Sequence, residues 1–119
     1  MIDRAELMNI ERGFWTGDAD YYRAHVDTEC LVAFTELAGV QTREFIAGQT
    51  SDPERWRDLE IEEKGFLTPS SDTALLSYEV RAKRANGEPY HALVSTAYVN
   101  RDGDWRMAFH QHTPLAAAH

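Results

Sequence analysis

The sequence contains a single cysteine, Cys30, so no intrachain disulfide can form and no cysteine-rich zinc site can be assembled. Cys30 is expected to be a small buried hydrophobe rather than a nucleophile. No run approaches eighteen apolar residues and no apolar N-terminal stretch resembles a signal peptide, so a soluble, cytoplasmic chain with no membrane partner is expected. Basic residues are also scarce. Twelve Lys and Arg stand against twenty Asp and Glu, a formal net charge of −8, and they form no basic stripe that a phosphate backbone would need. Nucleic acid is therefore not expected as a partner. Nucleophile elbows, phosphate-binding loops and zinc motifs are missing too, and no cofactor is expected. With no internal repeat, 119 residues read as one domain over 1–119, and residues 116–119 as a frayed tail.

What the chain does have is a clear β-meander. Thr73–Ala85, Tyr90–Arg101 and Asp104–Thr113 are separated by Asn86-Gly87 and Asp102-Gly103, dipeptides that tolerate the positive φ of tight hairpins. If both are two-residue turns, partner numbers sum to 173 across the first hairpin and 205 across the second. A period of two then puts Leu75, Ser77, Glu79 and Arg81 on one face with Val94, Thr96, Tyr98, Trp105, Met107, Phe109 and Gln111. Leu76, Tyr78, Val80, Leu93, Ser95, Ala97, Ala108, His110 and His112 fall on the other. Both faces are too apolar for open solvent, so both are expected to be covered.

Upstream, Asp3 caps a predicted helix running to about Phe14, with Leu7, Ile10 and Phe14 on one stripe. Asp18 caps a second helix through about His25 after the break at Gly17. His25, near Tyr21 and Tyr22, reads as a boundary residue. Glu29–Leu37 is a predicted strand ending at Ala38-Gly39, Thr42 caps a short helix with Phe45 and Ile46, and Asp52-Pro53 closes that region. Trp56–Leu67 reads as a strand with one wet side, turned by Pro69-Ser70-Ser71-Asp72. The order specifies an α+β domain with its helices gathered on one face of a curved, mostly antiparallel sheet.

That order, with Asp18-Ala19-Asp20, the turn Arg101-Asp102-Gly103-Asp104-Trp105 and the closing run from Trp105 through His110-Gln111-His112-Thr113-Pro114, resembles the nuclear transport factor 2-like superfamily. Within it the chain looks most like the SnoaL-like branch, domain of unknown function 4440. The resemblance spans roughly Leu7 to Leu115. It implies a cone whose concave face holds a small-molecule pocket and whose convex face pairs with a second subunit. The scaffold serves isomerases, dehydratases, cyclases and association domains alike, so it specifies a fold better than an activity.

In the similar association domain of calmodulin-dependent kinases, polar pocket residues occupy positions matching Glu79 and Thr96, which implies that the Glu79 face is concave. Trp15, Tyr22, Phe34 and Trp56 are then expected around the pocket, with Glu79, Arg81, Thr96, Tyr98 and Gln111 supplying polar groups. Glu79 reads first as an ion pair with Arg81 and next as a ligand contact, and it is the candidate general base if the pocket is catalytic. In ketosteroid-isomerase-like relatives an inward Asp acts with a Tyr and an acid; Glu79 with Tyr22 or Tyr98 departs from that pattern. Leu76, Tyr78, Val80, Leu93, Ser95, Ala97 and His110 form the expected homodimer surface. His91, His110 and His112 could bring three imidazoles together, yet no carboxylate or thiolate joins them, so no metal site is expected. A bulge near Gln111 would exchange the faces and bring His110 or His112 inward. Two functions follow as expectations: a homodimer binding a compact aromatic or carboxylic ligand, or a cofactor-independent isomerase, cyclase or dehydratase. A pure oligomerisation module is a third.

Overall fold

The Asp3 carboxylate accepts the Glu6 backbone N–H at 2.8 Å and opens α1 (Arg4–Thr16); Asp18 does the same for Tyr21 at 3.0 Å and opens α2 (Ala19–His25). A computed structural model describes residues 2–50 and 55–115. β1 (Val26–Ala33) and β2 (Ala38–Thr42) follow, and the Thr42 hydroxyl caps α3 (Arg43–Gly48) through the Phe45 N–H at 3.1 Å. β3 (Trp56–Ser70), β4 (Thr73–Arg84), β5 (Pro89–Arg101) and β6 (Asp104–Pro114) complete the chain. All three predicted caps form. The strand expected over Glu29–Leu37 is instead β1 over Val26–Ala33: the Phe34 N–H donates to the Leu37 carbonyl at 2.8 Å in a turn, and Gly39, at φ +124°, lies within β2, which returns along β1. The expected Asp52-Pro53 stop and the 116–119 tail lie outside the described residues.

The six strands form one sheet in the order β2-β1-β6-β5-β4-β3, antiparallel except where β1 runs parallel to β6. The helices cover one face. Leu7, Phe14 and Trp15 of α1 pack there with Leu76, Tyr78 and Val80 of β4, Val94 and Tyr98 of β5, and Met107 of β6.

The second hairpin turns as expected: Asp102 (φ +55°) and Gly103 (φ +96°) are both left-handed, and Arg101 pairs with Asp104. The first does not. Arg84 and Glu88 close a three-residue loop, with the Gly87 N–H donating to Arg84 O at 2.8 Å and only Gly87, at φ +89°, left-handed. Asn86 stays at negative φ, so the turn is a type I turn followed by a glycine bulge. The extra residue shifts β4 by one: Thr96 faces Leu76 and Tyr98 faces Ala74. On β6, Ala97 pairs with Phe109 but Tyr98 with Met107, so Ala108 is bulged and everything beyond it changes face.

One-residue shifts exchange faces completely. The inner, helix-covered face carries Leu76, Tyr78, Val80, Val94, Thr96, Tyr98, Met107, His110 and His112. The outer face carries Ser77, Glu79, Arg81, Leu93, Ser95, Ala97, Phe109 and Gln111. Four of the seven residues expected on a dimer surface, Leu76, Tyr78, Val80 and His110, are therefore buried inside the subunit; Leu93, Ser95 and Ala97 remain outside.

Candidate functional site

In α1 the buried stripe is Leu7, Glu11, Phe14 and Trp15, at i, i+4, i+7 and i+8, with Ile10 at its edge. One of these four is a carboxylate. Glu11 has no exposed surface, and its oxygens accept hydrogen bonds from Tyr78 Oη at 2.7 Å and from Tyr98 Oη. Tyr78 Oη in turn accepts the Trp15 Nε1–H at 2.9 Å. The Thr96 hydroxyl stands close by and donates to Phe109 O at 3.0 Å. Burial pushes the Glu11 carboxyl up to about 7 despite those hydroxyls, which favour its ionised form. The same burial and the nearby Glu11 charge raise Tyr78 and Tyr98 well above the ordinary phenol range, so both remain donors. Tyr78→Phe would leave the indole N–H without its acceptor and Glu11 short of a donor; a loss of about 1–2 kcal/mol in urea unfolding is expected.

Above this cluster lies a cavity of about 310 Å3. Phe14, Trp15 and Tyr22 come from α1 and α2, Phe45, Ile46 and Gln49 from α3 and its end, Val32 and Phe34 from β1 and the turn after it. Trp56 closes another side, and Met107, His110 and His112 form the floor. Trp56 meets Trp15 edge-on at 5.1 Å, while the His112 ring stacks on Trp15 at 5.3 Å. The Arg55 guanidinium donates to Phe14 O at 2.8 Å, Gly17 O at 3.0 Å and Tyr22 Oη at 3.3 Å, tying the wall to the end of α1. Burial lowers His110 to about 4 and His112 to about 2, so both imidazoles are neutral at pH 7.

Trp15, Tyr22, Phe34 and Trp56, expected around the pocket, do line the cavity. Thr96 and Tyr98 are on the inner face but buried below it, beside Glu11. Glu79, Arg81 and Gln111 are corrected: the three-residue loop and the Ala108 bulge turn all three to the outer face. There Glu79 meets Arg81 Nη2 at 2.8 Å and His91 Nε2 at 3.2 Å, contacts that hold its carboxyl below the usual range, His91 contributing most. A group so placed is not poised as a base for this cavity. Gln111 reaches the Thr113 hydroxyl. His91 is likewise outside, so it does not meet His110 and His112. His25 packs against Tyr21 at 4.2 Å. Cys30 is buried, which pushes its thiol up to about 12.

Glu11, Ile46 and Arg55 were not among the expected site residues; His110, expected on the dimer surface, and His112 enter the cavity through a bulge of the kind expected near Gln111, found at Ala108. Glu11 carried a readable signal, an acid inside the apolar stripe of an amphipathic helix.

No protein-family model matches the chain, and no curated protein matches it in sequence. Solved structures do match. A ketosteroid isomerase-like protein from Erwinia carotovora atroseptica superposes with a TM-score of 0.72 at 17% identity, over 95% of this chain and 93% of that one. A nuclear transport factor 2-like protein from Cytophaga hutchinsonii gives 0.72 at 14% identity, over 97% and 100%. The association domain of C. elegans CaMKII gives 0.70 at 14% identity, over 92% and 90%. Likeness at these identities speaks for architecture, and the architecture is the nuclear transport factor 2-like fold.

Proposed function

We propose that this protein binds a compact, flat, largely apolar small molecule in the cavity between α1, α2, α3 and β6. The observation that carries this reading is the cavity itself: about 310 Å3, walled by aromatic rings, with two neutral imidazoles on its floor. That volume is at the small end of ligand sites, which run from roughly 300 to 1,000 Å3, and suits a one- or two-ring compound. Glu79, Arg81 and Gln111 have no part in this reading.

Titration with 2-naphthol and 2-tetralone, followed through the Trp15 and Trp56 indole N–H signals, tests it. Saturable shifts of both signals are expected. Ile46→Trp, which fills the cavity from α3, should weaken binding at least tenfold; equal binding by the variant would place the ligand elsewhere.

A second reading, cofactor-independent proton transfer, is favoured by one observation: Glu11, held near neutrality by burial, lies next to His110. The similarity to a ketosteroid isomerase-like protein is consistent with it.

The outer face is proposed to pair with a second copy. Leu67 and Leu93 are exposed there, at 60% and 37%, beside Leu75, Ala97 and Phe109. The likeness to an association domain supports this assignment. Leu93→Glu is expected to convert a dimer to a monomer in sedimentation velocity. A wild type that sediments as a monomer at tens of micromolar, or a variant that stays dimeric, would refute it.

A further inference from the structure

A row of titratable groups runs from the buried carboxylate to the cavity mouth. Glu11 Oε1 is 3.4 Å from His110 Nδ1, His110 Nε2 is 2.9 Å from His112 Nε2, and His112 Nδ1 is 2.8 Å from Tyr90 Oη. Tyr90 belongs to a surface depression that shares Phe34, Trp56 and His112 with the cavity. The first link is open by a few tenths of an ångström, since His110 Nδ1 makes no hydrogen bond at that separation.

A neutral imidazole carries one ring proton, so each link dictates the next. With Glu11 ionised, His110 presents Nδ1–H to the carboxylate, its bare Nε2 accepts the His112 Nε2–H, and the bare Nδ1 of His112 accepts the Tyr90 O–H. With Glu11 protonated, every direction reverses: the carboxylic O–H donates to His110 Nδ1, His110 Nε2–H to His112 Nε2, and His112 Nδ1–H to the Tyr90 oxygen. The two arrangements differ by one proton displaced along the whole row, with no imidazolium in either.

We propose that Tyr90, His112, His110 and Glu11 form a proton relay that takes a proton from a weak acid bound at the cavity mouth and holds it on the buried carboxylate. This rests on the ligand-binding reading of the cavity and names the ligand class: an enolisable ketone or a phenol, whose conjugate base is a delocalised oxyanion. The ligand's C–H or O–H bond breaks and its proton goes to Tyr90 Oη as the Tyr90 proton passes to His112 Nδ1. The His112 Nε2 proton then passes to His110 Nε2, and the His110 Nδ1 proton to Glu11 Oε1. The electron pair stays on the ligand. No oxidant or reductant is needed. The Arg84 guanidinium, 4.9 Å over the Tyr90 ring and 5.1 Å over Trp56, supplies positive charge beside the new oxyanion.

The groups facing Glu11 are Tyr78 of β4, Tyr98 and Thr96 of β5, and His110 of β6, with Tyr21 and Tyr22 of α2 and Cys30 of β1 within electrostatic reach. Glu36 acts on His112 from the β1–β2 turn. The buried thiol and phenols keep their protons near neutrality, so Glu11 is the group whose transition the row should follow.

Ring nitrogen-15 NMR of histidine-labelled protein between pH 5.5 and 8.5, with the Glu11 carboxyl followed by carbon-13, tests the coupling without a ligand. His110 and His112 are expected to exchange tautomers together at the Glu11 midpoint, and to hold one tautomer each throughout in Glu11→Gln. Fixed tautomers across the wild-type Glu11 transition would overturn the relay while leaving the cavity reading intact. Coupled tautomers in a protein that binds neither 2-naphthol nor 2-tetralone would support the relay and sink the cavity reading. For the transfer itself, wild type is expected to exchange the α-hydrogens of bound 2-tetralone in D2O at least tenfold faster than Tyr90→Phe; equal rates at matched saturation would overturn it.

Discussion

Replacing Glu11 with Gln is expected to change how stability depends on pH, moving the difference between variant and wild type by about 2–3 kcal/mol from pH 5 to pH 8, in favour of the variant at the alkaline end. Burial raises the Glu11 carboxyl from its ordinary 4.5 to about 7. Between those values the native state holds a proton that the unfolded chain has released, so the wild type loses stability as pH rises through about 7. Gln cannot titrate, so that loss disappears. The two histidines act in the opposite sense: lowered to about 4 and about 2, they leave the unfolded chain to bind the protons below its histidine value of 6.5, and stability falls as pH drops through that value. Both variant and wild type share the histidine contribution, so it cancels in the difference. Urea midpoints at matched pH steps measure the effect. Parallel stability curves would show that Glu11 titrates normally in the folded protein.

The residues that mislead a reading of the sequence are few and local. Asp102-Gly103 and Asn86-Gly87 look alike as dipeptides, yet only the first adopts left-handed φ at both positions. In the second, Gly87 alone takes it, the loop has three residues, and β4 is displaced by one. Ala108 adds a second displacement that no residue type announces. Two single-residue events thus moved Glu79 and Arg81 out and brought His110 and His112 in, while the β5 assignment of Val94, Thr96 and Tyr98 to the inner face stood unchanged. The β4 pattern did hold a corrective: Ala74, Leu76, Tyr78, Val80 and Ala82 are uniformly apolar, whereas the alternate positions include Glu79, Arg81 and Lys83. The face with no charge belongs against the helices.

Helix boundaries were legible because each cap is a local contact between one side chain and a backbone N–H three residues on. The aromatic wall draws on three kinds of element: Trp15 and Tyr22 from the helices, Phe34 from the turn after β1 and Trp56 from the start of β3. Glu11 went unassigned for the converse reason: its burial is made tolerable by Tyr78 and Tyr98, which lie 67 and 87 residues away in sequence. Such a match is visible only once the inner face of the sheet is known.

Gly17→Ala is expected to cost about 2–3 kcal/mol and to weaken cavity binding with it. The backbone at Gly17 is extended, φ −79° and ψ 166°, so the conformation itself would accept alanine. Space is what fails: a Cβ there would lie 2.7 Å from the Gly13 carbonyl oxygen and 2.8 Å from Tyr21 Cβ and Cγ. Neither the Gly13 oxygen nor Tyr21 Cβ can rotate away, and the Gly17 N–H already binds Gly13 O at 2.7 Å. Relief requires α2 to move off the end of α1, which strains Tyr22 Oη against Phe14 O and Arg55 against the Phe14 and Gly17 carbonyls, the contacts that set one cavity wall. Gly13 gives the contrast. The nearest atoms to a Cβ there are all in the Tyr21 ring and hydroxyl. Tyr21→Ala should therefore relieve Gly13→Ala, even leaving a gain of up to about 1 kcal/mol from helix propensity, but should not rescue Gly17→Ala, whose clash includes backbone. Double-mutant cycles by urea unfolding separate the two cases; equal rescue at both positions would mean that side-chain crowding, not the backbone junction between α1 and α2, positions the wall.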